Sequence, residues 1–321
     1  MNDFYYNVLD WSSSGCLAVG LAETCYLWTD STGQVDTLQS QRNRDDHISS
    51  CAFSVDGTKV AVGTLSGLCT IYDVTPGSGY MGKLFSCQQS YPVCAISWNR
   101  QGVVSLGDRS GKILNYNGKN SIGQWIQTFG GAHTDRVVGL RWCPQGRLLA
   151  SGGNDNRVFL WEIGRSSPKL ELAGHSAAVR AIAWCPWQYN LLATGGGLDD
   201  RCIRFWNTDT GTCVKKVHTG SQVCAVLWSK SYRELISAQY RDENQLILWS
   251  YPSMEQVGTM PGHKERPIHM ALSPDGQTVV TAASDENLKF WKCFPIKPGQ
   301  KLLEPPGKLV TADDPLTNSL R

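Results

Sequence analysis

Three segments of the chain place a histidine, a serine or threonine, an aspartate and a tryptophan in the same order. They are His133, Ser151, Asp155 and Trp161; His175, Thr194, Asp199 or Asp200, and Trp206; and His263, Thr281 or Ser284, Asp285 and Trp291. Serine, histidine and aspartate together could form a nucleophilic hydrolase site, where imidazole takes the hydroxyl proton and carboxylate orients the imidazole. Such a site is built once, however, and this set recurs in register. A hydrogen-bonded chain tying the strands of a repeating unit together needs the same residue types, because buried polar groups must find partners. The recurrence favours that structural role. Neither the phosphate-cradling G-x-x-x-x-G-K-[ST] nor the serine elbow G-x-S-x-G occurs, and the triple glycine at 195–197 ends an apolar strand without a helix to receive a phosphate. A non-catalytic binding module is the expectation.

The elements that position these residues repeat seven times. Successive segments close on an aromatic residue at Trp28, Tyr72, Tyr116, Trp161, Trp206, Trp249 and Trp291, with spacings of 44, 44, 45, 45, 43 and 42. A large apolar residue stands 17 to 22 positions earlier in each: Trp11, Phe53, Trp98, Trp142, Trp184, Trp228 and Leu272. Between them lie a Pro/Asp/Gly turn such as SVDG or SPDG, an apolar strand, and a second polar turn. Weaker fourth strands follow, for example Gln124–Phe129, Cys213–Val217 and Glu255–Met260. A period in the low forties with four strands per unit is the signature of a β-propeller. The expected fold class is therefore all-β, a seven-bladed WD-repeat β-propeller over residues 1–293, followed by a flexible C-terminal tail at 294–321. The first strand of blade 1 begins near Asn7, so the last blade lacks an obvious fourth strand. Lys301–Glu304 is the candidate for a short closing strand.

Composition narrows the function classes. A net charge of +2, with Lys and Arg dispersed, provides no field for nucleic acid or membrane, and neither is expected as a partner. The twelve cysteines include no C-x-x-C pair and no zinc-ligand spacing, so no metal and no cofactor is expected. Cys143, Cys185 and Cys224 sit in apolar runs, where cysteine acts as a small buried hydrophobe. The chain has no N-x-[ST] sequon, no apolar N-terminus and no apolar run near eighteen residues, and reads as reduced, intracellular and soluble.

Several phrases are more specific than the repeat. AWCPWQYNLLATGGG at 183–197, SGGNDN, SQVCAVLWS, NQLILWSYPSM, LSPDGQTVVTAASDENLKFW and the opening DFYYNVLDWSSS together resemble the Fizzy family of substrate-recruiting activators of the anaphase-promoting complex. The resemblance spans roughly residues 2–294. It implies recognition of short linear degrons that are delivered to a ubiquitin ligase. The implied partners are ligase subunits, degron-bearing substrates, and spindle-checkpoint or pseudosubstrate inhibitors, in the cytoplasm and nucleus. A WD-repeat scaffold or decoy that binds degrons without activating a ligase is the alternative.

The resemblance also implies two sites. A destruction-box site would hold the degron arginine between Asp3 and Glu286. Loops before first strands and turns between second and third strands share one face of a propeller, and blades 1 and 7 are neighbours, so both carboxylates can reach one guanidinium. A KEN-degron site would use Asn154, Asn156, Gln222 and Arg266, all on loops or turns of that face. An arginine can pair the degron glutamate, and the amides can bond its asparagine and backbone. Leu198 departs from the family pattern, which has a small hydroxyl residue after the triple glycine. The family's N-terminal C-box region and the strand that closes blade 7 are expected to be missing. Leu320–Arg321 is a near isostere of the family's Ile-Arg ligase-docking terminus.

Overall fold

The computed structural model describes residues 4–39, 46–75, 82–119, 122–240, 244–297, 299 and 302–303. The described residues form strands and connections and no helix. Seven antiparallel sheets succeed one another along the chain, each pairing its strands in sequence order. Blade 4, for example, consists of Val137–Trp142, Leu148–Gly153, Val158–Glu162 and Leu170–Glu171. Every expected apolar marker, from Trp11 to Leu272, is the last residue of its blade's first strand, and every closing aromatic is the last but one of its third. The fourth strands expected from sequence appear at Trp125–Phe129, Cys213–His218 and Gln256–Met260.

Burial explains the alternation of residue types from the axis outward. First strands Ile48–Phe53, Val93–Trp98 and Val179–Trp184 are buried at every position, as strands covered on both faces must be. Outer strands such as Cys213–His218 alternate between exposed and half-buried. Neighbouring blades are stapled by the first-strand tryptophans. The indole N–H of Trp98 donates to the Ala52 carbonyl, that of Trp142 to Ser105 Oγ, that of Trp184 to the Arg141 carbonyl, and that of Trp228 to the Ala183 carbonyl, all at 2.9–3.1 Å. Each partner belongs to the preceding blade, so a large ring fills the space between two sheets while its one polar atom is satisfied.

Ring closure brings the ends of the chain together. Leu9, Leu17 and Val19 of blade 1 pack with Ala271, Val280 and Ala282 of blade 7. Blade 7 has three strands among the described residues, Pro267–Leu272, Thr278–Ala283 and Leu288–Lys292. Phe290, on its outermost described strand, is half exposed and stands edge-on to Trp11 at 5.7 Å. The candidate closing strand does not lie there. Leu302 and Leu303 are not in a strand, and the Leu303 N–H donates to the Lys230 carbonyl of blade 6 at 3.0 Å. Burial of an aliphatic side chain against the aromatic cluster of Trp187, Trp228 and Tyr251 accounts for that position. Lys301 and Glu304 lie outside the described residues. Beyond the last described strand the chain remains packed at Phe294, which is fully buried.

Candidate peptide-recognition face

The three repeated sets are complete hydrogen-bonded chains. In blade 4, His133 Nδ1 lies 3.0 Å from Asp155 Oδ2, His133 Nε2 lies 2.7 Å from Ser151 Oγ, and the Trp161 indole N–H donates to the same Oγ at 2.7 Å. Blade 5 repeats this with His175, Asp200, Thr194 and Trp206, and blade 7 with His263, Asp285, Thr281 and Trp291. The alternatives left open by sequence are thereby decided for Asp200 and Thr281. Each carboxylate can only accept, so Nδ1 carries the proton and Nε2 accepts from the hydroxyl. The hydroxyl oxygen receives the indole N–H and is fully buried at Ser151, Thr194 and Thr281. No substrate atom can reach it, which excludes these sets as nucleophilic triads.

Blade 5 adds a cation that sequence inspection missed. Arg204 donates to both carboxylate oxygens of Asp200, at 2.8 and 2.6 Å, with both side chains almost wholly buried. Burial favours the neutral carboxyl of Asp200, but hydrogen bonds from His175 and Arg204 outweigh it and hold the group far below the ordinary carboxylate range. The same competition, won by hydrogen bonds from histidine and backbone N–H groups, lowers Asp155 and Asp285. The His175 and His263 imidazoles are held below their ordinary 6.5, first by burial. A depressed histidine value means the unfolded chain binds more protons just below pH 6.5, so stability falls as pH drops through that window. The lowered aspartates contribute stability above their ordinary value and lose it in stronger acid. Melting temperature is therefore expected to fall between pH 7.5 and pH 5.5, and a flat profile in thermal scans would contradict this account.

The loop face is bound together blade by blade. The turn after the second strand donates a backbone N–H to the loop before the first strand: Leu65 to His47, Arg109 to Pro92, Asn154 to Arg136 and Ser284 to Arg266, at 2.9–3.2 Å. In the turn after the second strand of each of the seven blades, one described residue has a positive φ. The seven residues are Ala22, Gly67, Gly111, Asn156, Arg201, Asn244 and Glu286, with φ between 46° and 88°. Glycine is required where the next loop crowds the turn: a Cβ at Gly67 would lie 2.5 Å from the Gln89 carbonyl oxygen, and one at Gly111 2.7 Å from that of His133. Elsewhere a side chain is carried at a backbone cost of roughly 1–2 kcal/mol, less for asparagine. Two residues expected from sequence, Asn156 and Glu286, occupy this position in blades 4 and 7. Replacing either by glycine is expected to leave stability unchanged or raise it by up to about 1 kcal/mol, because strain is released while the side chain is lost. Thermal melts check this; a marked loss of stability would mean that the side chain serves the turn.

The remaining expected residues meet around the mouth of the axis. Gln222, buried, begins the first strand of blade 6, and its Oε1 lies 3.4 Å from Arg266 Nη1. The Arg266 guanidinium stands 4.9 Å from the Tyr240 ring and 5.8 Å from the Phe4 ring. Across the axis, Asn154 Nδ2 donates to Asp135 Oδ2 at 2.5 Å, and the neighbouring Arg136 stands 4.5 Å over the Tyr5 ring. Tyr5 is edge-on to Phe4 at 5.7 Å. A continuous series of contacts thus runs from Asn154 through the aromatic pair to Arg266 and Gln222. Among the described residues no carboxylate pairs with Arg266 or cation with Glu286, and Glu286 is exposed. Leu198 is also exposed, and its carbonyl accepts from Arg201 Nε at 2.7 Å. Asp3, Leu320 and Arg321 lie outside the described residues.

Beneath the face, Arg180 pins the axis. From the first strand of blade 5 it donates to the carbonyls of Cys224, Ile268 and Tyr6 and to His269 Nδ1, at 2.6–3.0 Å. Burial, then the adjacent guanidinium, pushes His269 well below its ordinary value, so the imidazole stays neutral and accepts. The only sequence trace of this pin is a charge inside VRAIAW. The segment that supports Phe4 and Tyr5 is thereby fixed to blades 5, 6 and 7.

Comparison with known proteins agrees with this architecture. Residues 1–291 match the family model of the CDC20/Fizzy WD40 domain. The chain is 42% identical over 303 residues to the anaphase-promoting complex subunit cdc20 of Dictyostelium discoideum, covering 92% of this chain and 58% of that protein. It is 42% identical over 311 residues to cell division cycle 20.1, cofactor of APC complex, of Arabidopsis thaliana, covering 95% and 67%. It is 42% identical over 296 residues to protein FIZZY-RELATED 1 of Arabidopsis thaliana, covering 92% and 60%. The chain thus spans 58–67% of the length of these curated relatives. Among solved structures, a chain of the mitotic checkpoint complex superposes with a TM-score of 0.86 at 42% identity, covering 92% of this chain and 89% of that one. A seven-bladed propeller with this degree of likeness along nearly its whole length belongs to the CDC20/Fizzy family.

Proposed function

We propose that this propeller is the substrate-recognition part of an activator of the anaphase-promoting complex, acting without catalysis of its own and taking short degron peptides on its loop face. The observation that carries the reading is the convergence of Gln222, Arg266, Tyr240 and the Phe4–Tyr5 pair at the mouth of the axis, with Asn154 and Asn156 on the opposite rim. Arg266 stands beside two rings and one amide and keeps guanidinium N–H groups for a ligand carboxylate, which suits the glutamate of a KEN sequence. Glu286, exposed at its strained turn, supplies with Asp3 a pair of carboxylates for a destruction-box arginine. The names of the relatives support subunits of the anaphase-promoting complex as partners, and the likeness to a chain of the mitotic checkpoint complex supports checkpoint proteins as partners; degron-bearing substrates, and pseudosubstrate inhibitors competing for the same face, belong to the proposal. Leu320–Arg321 is the proposed ligase-docking terminus, and cytoplasm and nucleus the proposed location.

The test is a titration of a fluorescent KEN peptide against the wild-type chain and Arg266→Ala. A charge-assisted pair within a partly desolvated pocket is worth about 1.5–3 kcal/mol, so affinity is expected to fall roughly 10- to 150-fold. Equal affinities would remove Arg266 from the site. Ubiquitination by the purified ligase separates an activator from a scaffold or decoy, which would bind the peptide and leave substrate unmodified.

A further inference from the structure

The outer edge of blade 2, where it meets blade 3, holds three ionisable side chains distinct from those of the peptide-recognition face. Cys69 lies on the third strand of blade 2, Leu68–Asp73, and Cys87 on its fourth, Gly82–Gln88. The register pairs the two cysteines directly, and at the next pair along, the Thr70 and Ser86 hydroxyl oxygens are 3.0 Å apart. Residues facing each other across antiparallel strands have Cα atoms about 4.5–5.5 Å apart. A disulfide spans about 4.4–6.8 Å between Cα atoms, so these cysteines can be joined without changing the strand pairing. Their side chains already touch: the Cys69 S–H donates to Cys87 Sγ, and the Tyr116 hydroxyl of blade 3 donates to the same sulfur. Cys69 is fully buried with Ile71, Phe85 and Tyr116, whereas Cys87, on the outer strand, is partly exposed.

The two thiols therefore differ in chemistry. Hydrogen bonds to its sulfur, the first from Cys69, hold Cys87 below the ordinary thiol value against the opposing effect of burial. The same contact, then burial, pushes Cys69 well above it, so the proton shared by the pair stays on Cys69. A sulfur that an oxidant can reach, beside a protonated thiol, is the arrangement that forms a disulfide by way of sulfenic acid. We propose that Cys87 and Cys69 are a peroxide-reactive pair, with Cys87 the nucleophile, Tyr116 the donor that steadies its sulfur, and Cys69 the resolving thiol that closes a cross-strand disulfide. The Cys87 thiolate, its proton already given to solvent, attacks the terminal oxygen of a hydroperoxide. An S–O bond forms, the O–O bond breaks, and the departing alkoxide takes a proton from solvent. The Cys69 sulfur then attacks the sulfenic sulfur: the S–S bond forms, the S–O bond breaks, and hydroxide leaves with the Cys69 proton as water. Two thiols and one hydroperoxide thus give one disulfide, one alcohol and one water, and a dithiol reductant reverses the link. Cys25 and Cys51 also touch, between blades 1 and 2, but both are fully buried, and that contact together with burial pushes Cys51 well above its ordinary value. This second pair is protected.

Peptide mapping of the full chain after brief exposure to hydrogen peroxide tests this without any degron or ligase. In wild type a Cys69–Cys87 cross-link that dithiothreitol removes is expected, with Cys87 losing its free thiol at least about tenfold faster than Cys51. Cys69→Ser is expected to stop at the Cys87 sulfenic acid, which dimedone traps, and Cys87→Ser to leave Cys69 a free thiol. Tyr116→Phe keeps the ring and removes one donor to the sulfur, so the pH at which Cys87 alkylation is half-maximal is expected to move upward, which a packing role alone would not cause. An unmoved midpoint would overturn the part assigned to Tyr116. Cys69 and Cys87 recovered as free thiols in wild type while the exposed Cys213 is oxidised, a Cys87 disulfide to any other cysteine, or Cys87 sulfinic acid with Cys69 still free would each overturn the pair.

Discussion

Substituting Asp200 by alanine is expected to destabilise the propeller by about 3–5 kcal/mol, more than removal of the equivalent aspartate in blade 4 or blade 7. The reason is the company Asp200 keeps. It accepts from His175 and from the buried Arg204 together, so its loss leaves a charged guanidinium without a counter-ion in the blade interior. Asp155 and Asp285 accept from a histidine and backbone N–H groups, and their loss leaves only neutral donors unpaired, at about 1–3 kcal/mol. At about 2.1 cal/mol/K of unfolding entropy per residue over 321 residues, the larger figure lowers the melting temperature by roughly 4–7 °C. Parallel thermal melts of the three alanine variants rank them. If Asp200→Ala melts no lower than Asp155→Ala, the buried guanidinium is not the deciding term.

The largest effect on binding is expected from Asp3→Ala combined with Glu286→Ala. Exposed acids paired to a solvated arginine contribute little, about 0–1 kcal/mol. A degron arginine clamped between two carboxylates is partly desolvated by its own peptide, which raises each contact to about 1.5–3 kcal/mol. In the proposed clamp both acids would share one guanidinium, so the pair would contribute less than the sum. A loss of about 3–4 kcal/mol, or roughly 100- to 1000-fold in destruction-box affinity, is the expected outcome. A KEN peptide should bind the double variant as it binds wild type, which serves as the control for folding. Glu286→Gly isolates the side chain from its strained backbone and should weaken the same peptide without lowering the melting temperature. Unchanged destruction-box binding in the double variant would remove this site from the face.

The residues that sequence alone determined are those whose role depends on their own blade. Seven closing aromatics, seven first-strand markers and the histidine–hydroxyl–aspartate–tryptophan sets are legible because each satisfies a local need: strand alternation, a turn, or a partner for a buried polar atom within some twenty residues. Repetition in register then distinguished a structural hydrogen-bond chain from a catalytic one. Asp199 against Asp200 and Thr281 against Ser284 stayed open because adjacent residues in a turn or strand end have the same local pattern, and only three-dimensional approach selects one.

Tertiary structure alone decided the contacts that cross the ring. Arg180 meets the Tyr6 carbonyl across 174 positions of sequence, Arg266 meets Gln222 across 44, and Leu303 finds blade 6 instead of the outer described strand of blade 7. The conformation of Asn156 and Glu286 belongs to the same class, since their turns share the positive φ of the glycine turns of blades 2 and 3, where a Cβ would strike the next loop. Periodicity places a residue on a face of its own sheet. Closing seven sheets into a ring decides which faces meet, and the mouth of the axis and the pin beneath it arise only from that closure.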